Sequence, residues 1–204
     1  MFDVDMIFRI PALLIALTVH EYAHARVAVA LGDPTPRFEG RLTLNPIAHL
    51  DPFGLIMLWL VQFGWAKPVS VNARNFKNWR QGMMFVSLAG PGANLITAFV
   101  AMIVFVILSH AGIREYWIMT TLRLICSYNV MFAVFNMLPI PPLDGSKVLM
   151  NYLPGRLAYQ YESYSQYGSL ILMGLIVLGL VGFIISPVIK FILDAMWAIT
   201  TFIF

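Results

Sequence analysis

The sequence predicts an all-α polytopic membrane protein with about four transmembrane helices. Of its 204 residues, 60% are hydrophobic and only 11% are charged, whereas a soluble domain carries about 25% charged residues. The mean hydropathy is +0.79. Apolar runs that are long enough to cross a hydrocarbon core of about 30 Å as helices occupy roughly residues 6–31, 83–109, 116–138 and 168–189.

A short apolar element follows the first run. The sequence at 53–66, FGLIMLWLVQFGWA, is bracketed by Gly54 and Gly64. It is too short to span a bilayer as a helix, and such segments are typical of re-entrant or interfacial elements. We therefore expect a short re-entrant or β-hairpin-like element here.

The chain after the fourth run is apolar but is interrupted by Lys190 and Asp194. One straight helix over 168–204 would be about 55 Å long, well beyond the hydrocarbon core. Pro187 is expected to kink the chain, so that the tail lies on the membrane surface or turns back. We expect one integral membrane domain over 1–204, with its core at about 6–147 and an additional C-terminal helix over 168–204.

Charge and cysteine content exclude several classes of protein. The formal net charge of +3 is small and does not indicate a nucleic-acid partner. The single cysteine, Cys126, excludes an internal disulfide and a cysteine-rich zinc site. The N-terminus is acidic before it becomes apolar, and therefore no cleavable signal peptide is expected.

Lysine and arginine in the loops predict the orientation in the membrane. Basic residues fall in 32–52, 67–82 and 139–167, whereas only Arg114 lies between the second and third runs. Because short basic loops stay in the cytoplasm, the loops after the first and third runs are predicted to be cytoplasmic. The expected location is the cell (inner/plasma) membrane, with the site described next in the cytoplasmic half.

The first apolar run carries the pattern HExxH as His20, Glu21 and His24. Residues four apart in a helix lie on one face, one turn apart. Two neutral imidazoles arranged in this way suit a zinc ion, and the adjacent glutamate can accept a proton from water on the metal. Ionisable side chains inside an apolar span indicate a functional site.

A third metal ligand is expected in the segment that ends the third run, NMLPIPPLDG at 136–145. Its three prolines cannot continue a helix, and they form a stiff segment that can carry Asp144 back towards the two imidazoles. Gly145 permits a sharp turn there. Asp144 is therefore the predicted third ligand; the alternative is that it only caps this turn.

Three motifs together resemble the site-2 protease family of intramembrane zinc metalloproteases, peptidase family M50. They are HEYAH in the first run, the GPGAN sequence at 90–94 in the second, and NMLPIPPLDG after the third. The chain is similar to the small branch, which has no PDZ insertion. The resemblance implies that His20, His24 and Asp144 bind Zn²⁺ and that Glu21 is the catalytic general acid/base. It also implies that Asn94 and Asn136 lie near the site as substrate-binding or oxyanion-supporting groups.

The implied function is an intramembrane zinc metalloendopeptidase that hydrolyses peptide bonds of transmembrane segments, in regulated intramembrane proteolysis or clearance of membrane peptides. Water activated by zinc would attack the scissile carbonyl with Glu21 as acid/base. The expected partners are the lipid bilayer and a transmembrane protein or peptide that unwinds locally. The 53–66 element could pair edge-on with the unwound strand. A homo-oligomer is left open, and no nucleic acid is expected.

Two other functions compete with this interpretation: a zinc transporter, and a catalytically inactive membrane binding protein of the same fold. Single residues also have alternatives. Asn94 could form only an interhelical hydrogen bond. His49 and Asp51, in a proline-rich loop, are better explained as turn residues than as further metal contacts.

Overall fold

The computed structural model describes residues 6–51 and 67–203, and regular structure within these ranges is helical, without a β-sheet strand. Short 3-10 turns at Pro46–His49, Ala73–Asn75 and Ser165–Tyr167 connect the α-helices. The α-helices are α1 (Met6–Ala30), α2 (Thr35–Phe38), α3 (Trp79–His110), α4 (Tyr116–Asn136), α5 (Asp144–Tyr152), α6 (Gly155–Tyr164), α7 (Gly168–Val177) and α8 (Leu180–Ile203). The predicted 53–66 element lies outside the described residues.

Three of the described helices, α3, α4 and α8, are long and apolar enough to cross a membrane. Helix α1 has 25 residues and contains the first predicted span, but it is not one of the three. It carries Arg9, Glu21 and Arg26 in addition to two histidines, and these polar groups lower its hydropathy. The prediction of helices over 83–109 and 116–138 is confirmed by α3 and α4.

The predicted span over 168–189 is wrong, because two helices share this region. Helix α7 ends at Val177 and α8 begins at Leu180. Between them, Gly179 has a φ of 72°, a left-handed conformation that glycine adopts at little cost. Helix α8 then runs through Pro187 to Ile203. The length argument correctly required a break, but the break falls at the glycine and not at the proline.

Small side chains allow the helices that surround the site to approach closely. Helix α1 packs against both α3 and α4, which also pack against each other, and α8 covers α3 and α4. The contact between α3 and α4 buries Ala98, Ala101, Cys126 and Val130. Because small residues let helix backbones come near each other, polar side chains on α1 can reach partners on both neighbouring helices.

Candidate metal centre

Three side chains from two helices converge on one point. His20 and His24 lie on α1, and Asp144 is the first residue of α5. The Nε2 atoms of the two histidines are 2.9 Å apart. Asp144 Oδ2 lies 3.2 Å from His20 Nε2 and 3.1 Å from His24 Nε2. All three residues are buried, and together they form a cluster that could hold a metal ion.

A glycine on α3 makes room for the two imidazoles. The histidine rings meet edge to face, with centroids 4.5 Å apart, and α3 passes directly beside them. A Cβ atom at Gly90 would lie 2.6 Å from both His20 Cε1 and His24 Nε2. Any larger residue at this position would therefore displace α3 or the two imidazoles, which gives the GPGAN motif a steric function.

The proline-rich linker between α4 and α5 delivers the carboxylate. Two tight turns fold this linker. In the first, Ile140 N–H donates to Leu138 O at 2.9 Å, and in the second, Leu143 N–H donates to Ile140 O at 2.9 Å. Gly145 rests directly on the backbone of Met137, where a Cβ atom would collide. This close approach fixes the position at which α5 begins. The first residue of α5 is Asp144, which faces the imidazoles.

The second nitrogen of each imidazole has a fixed partner. His24 Nδ1 lies 2.7 Å from the carbonyl oxygen of Val86, which can only accept, so this nitrogen carries the proton. His20 Nδ1 lies 2.7 Å from Asn94 Oδ1. Asn94 Nδ2 donates to Ala16 O at 2.9 Å, and this contact fixes which end of the amide is the acceptor. His20 Nδ1 is therefore protonated as well.

A fully buried second asparagine holds Asn94 in this orientation. Asn94 Nδ2 also donates to Asn129 Oδ1 at 2.7 Å, and Asn129 Nδ2 donates to Ile125 O at 2.8 Å. Both asparagines are completely inaccessible to solvent. A chain of hydrogen bonds thus runs from α4 through α3 to the imidazole on α1, and it defines one tautomer of His20.

The donor atoms of the cluster fit a zinc ion. With both Nδ1 atoms protonated, the two Nε2 atoms and Asp144 Oδ2 face one another as three lone-pair donors. Such an arrangement is repulsive when buried unless a metal ion or a proton lies between the atoms. Atoms that bind a tetrahedral zinc ion at about 2.0–2.1 Å lie about 3.3 Å from one another. The observed separations of 2.9 to 3.2 Å are close to this value.

Glu21 lies beside the cluster and is half buried. Its Oε2 atom accepts a hydrogen bond of 2.9 Å from the backbone N–H of Val69. Lys147 Nζ lies 3.7 Å from Asp144 Oδ1. Asn136 is half buried and donates to Phe132 O, one turn earlier in α4, at 3.0 Å.

Sequence reasoning missed several of these contacts. Asn129 could have been found, because an amide in an apolar span indicates an interhelical hydrogen bond. The backbone groups of Val86 and Val69 carry no such signal, since every residue has a carbonyl group and almost every residue has an N–H. Asn94 was predicted to bind substrate or support an oxyanion, but its described contacts lie behind His20 and use both amide protons.

Comparison with known proteins agrees with the three motifs. The family model described as "Peptidase family M50" matches residues 8–179. This chain belongs to peptidase family M50. It is 36% identical to "Putative zinc metalloprotease YwhC" of Bacillus subtilis over 190 residues, which is 91% of this chain and 87% of that protein. No solved structure matches the chain.

A second relative is longer than this chain. The Rip2 protein of Mycolicibacterium smegmatis, which carries the same descriptive name, is 30% identical over 80% of this chain but only 64% of its own length. The predicted family and the prediction of a metalloprotease are thus confirmed. Membership of this family and the three long apolar helices also indicate that the chain is a membrane protein.

Proposed function

We propose that this M50 protein is an intramembrane zinc metalloendopeptidase in which His20, His24 and Asp144 hold the zinc ion. The observation that carries the proposal is the convergence of two imidazole nitrogens and one carboxylate oxygen in a buried site. The hydrogen bonds of Asn94 and Val86 O to the outer nitrogens support it, because partners of this kind orient histidine ligands and raise their basicity. These partners also leave the Nε2 atoms of both imidazoles directed towards Asp144 Oδ2.

Glu21 is the proposed general acid/base. A bound zinc ion would polarise water and the scissile carbonyl. Glu21 would accept a proton from the attacking water and deliver it to the leaving amine, a function that contributes typically 10²- to 10⁴-fold. Since Val69 N–H occupies Oε2, the other carboxylate oxygen, Oε1, is the one assigned to proton transfer.

The two predicted amide residues receive different assignments. Asn94 is proposed to position His20, because its oxygen binds Nδ1 and its two protons are used by Ala16 O and Asn129. Asn136 is proposed to donate to the substrate carbonyl. Its contact with Phe132 O uses one of two amide protons, and the residue stands where α4 gives way to the linker that carries Asp144.

The proposed substrate is a transmembrane segment that unwinds locally, since the carbonyl groups of an intact helix are occupied by its own hydrogen bonds. Cleavage would take place in the cytoplasmic half of the membrane.

A transporter is less well supported by the described residues. The hydrogen-bond chain that leaves His20 ends at Ile125 O, next to the apolar contact of Cys126 and Val130 with α3, and so offers no polar path across the bundle.

The test uses purified protein, a model transmembrane peptide and metal analysis. Wild type should bind one zinc ion and cleave the peptide. Glu21→Gln should keep the zinc and lose at least about 100-fold in rate, whereas His20→Ala and Asp144→Ala should lose the metal. Zinc retained by both ligand variants, or undiminished cleavage by Glu21→Gln, would reject the proposal. Zinc flux into proteoliposomes would indicate a transporter.

A further inference from the structure

A short segment without regular structure reaches the proposed general base. The 67–72 segment, KPVSVN, leads to the 3-10 turn that begins at Ala73. The N–H of its third residue, Val69, is the group that binds Glu21 Oε2 at 2.9 Å. This hydrogen bond joins residues 48 positions apart. It is separate from the contacts among His20, His24 and Asp144.

The N-terminal end of this segment is fastened to a buried histidine. Lys67 N–H donates to His49 O at 3.0 Å. His49 is completely buried, and its ring nitrogen Nε2 lies 2.9 Å from Thr43 O, to which it can donate. The guanidinium group of Arg41 donates to Ala48 O, and the turn that contains Ala48 and His49 packs against α1.

The C-terminal end is fastened to a buried carboxylate. Asp33, three residues after α1, is completely inaccessible to solvent. Its Oδ2 accepts from Asn72 N–H at 2.7 Å, and its Oδ1 accepts from Asn75 Nδ2 at 2.7 Å. Thr35 adds two donors to Oδ1, its backbone N–H and its hydroxyl. A buried carboxylate is tolerated when it is hydrogen-bonded in this way.

Apolar packing sets which side of the segment faces the protein. Val69 and Val71 are partly buried, whereas Pro68, Ser70 and Asn72 are exposed, an alternation typical of extended backbone. Val71 packs against a cluster around Phe76. The segment therefore has a fixed register between its two anchors, and this register presents the amide of Val69 to Glu21.

We propose that the 67–72 segment positions the general base, and that Asp33 and His49 hold it in place for this purpose. A glutamate side chain has three rotatable bonds, and the donor on Oε2 restricts their orientations while it leaves Oε1 for proton transfer. Val69 is thus a positioning residue that acts through its backbone. The inference rests on the proposed function of Glu21.

The first experiment removes the amide proton that binds Glu21 Oε2. Val69→Pro deletes the N–H, whereas Val69→Ala keeps it and serves as the matched control. Val69→Pro should lower kcat about 10- to 100-fold, as is typical when a supporting hydrogen bond at a metal site is lost. Its KM and zinc content should equal those of Val69→Ala, and its kcat should lie at least about tenfold below that of Val69→Ala. Equal kcat values in the two variants, or a loss confined to KM, would overturn the proposal.

The second experiment needs no catalysis. Amide hydrogen exchange in the full-length protein is followed for a peptide that contains Val69. Exchange should be about tenfold faster in Glu21→Ala than in wild type, because the acceptor is gone, and it should stay slow in Glu21→Gln, which keeps an acceptor oxygen. Equal exchange in all three proteins would overturn the inference. A wild type that cleaves nothing while this pattern holds would instead reject the proposed function alone.

Discussion

Replacing Gly90 by alanine should weaken metal binding without unfolding the protein. The added Cβ atom would lie 2.6 Å from His20 Cε1 and His24 Nε2, about 0.8 Å inside the shortest ordinary contact of 3.4 Å. Either α3 or the two rings must move by that amount. A displacement of about 1 Å can cost about 100-fold in catalysis, and we expect zinc affinity to fall about 10- to 100-fold.

Gly92 supplies the matched control, since it lies on the same helix and a Cβ atom there meets nothing within 4 Å. Alanine in place of a helical glycine stabilises by roughly 0.5–1 kcal/mol, whereas overpacking costs about 1–3 kcal/mol. Gly92→Ala should therefore raise the melting temperature, and Gly90→Ala should lower it or leave it unchanged. Zinc affinity is measured by chelator competition. Affinities of the two variants within twofold of each other would refute the steric explanation.

Three further predictions concern stability and the supporting hydrogen bonds. Asn129→Leu removes the acceptor of a buried Asn94 proton, which should cost about 1–3 kcal/mol in chemical unfolding and lower zinc affinity in chelator competition. Burial alone would raise the pKa of Asp33, but hydrogen bonds from neighbouring side chains and backbone hold that pKa below its ordinary value. The stabilisation from Asp33 should thus be complete above about pH 4 and should be lost as the pH falls through the lower pKa of the folded state. In unfolding scans, Asp33→Ala should be less stable than wild type near neutral pH. The variant should also show no loss of stability from this group at acidic pH. Gly179→Ala places a side chain at positive φ and should destabilise by about 1–2 kcal/mol, whereas Gly182→Ala, which has open space around it, should not.

Much of the fold could be predicted because apolar run length follows directly from bilayer thickness. This reasoning located α3 and α4 within a few residues. It failed for 168–189, where length and hydropathy do not distinguish one helix from two short ones. The break depends on Gly179 at positive φ, and a glycine inside an apolar run is equally compatible with close helix packing.

The cluster could be predicted because its chemistry requires particular side chains at particular spacings. His20 and His24 share a face by helix geometry alone, and the prolines before Asp144 imply a chain reversal. The partners of these residues could not be predicted in the same way. Val86 O and Val69 N–H are backbone groups whose importance depends on the register of one helix or segment against another, and only the packed structure defines that register.

The supporting contacts also explain how an apolar bundle can hold this polar site. Asn94 and Asn129 would each be costly as isolated amides in a low-dielectric interior, but each uses its protons on the next acceptor in the chain. His20 and His24 both direct their protonated nitrogen outward to such an acceptor. In the neutral imidazoles, the lone pairs of the two Nε2 atoms face inward, towards Asp144 Oδ2. The same hydrogen bonds that make burial tolerable thus prepare the cluster for a metal ion, which would replace any proton shared among its three inner atoms.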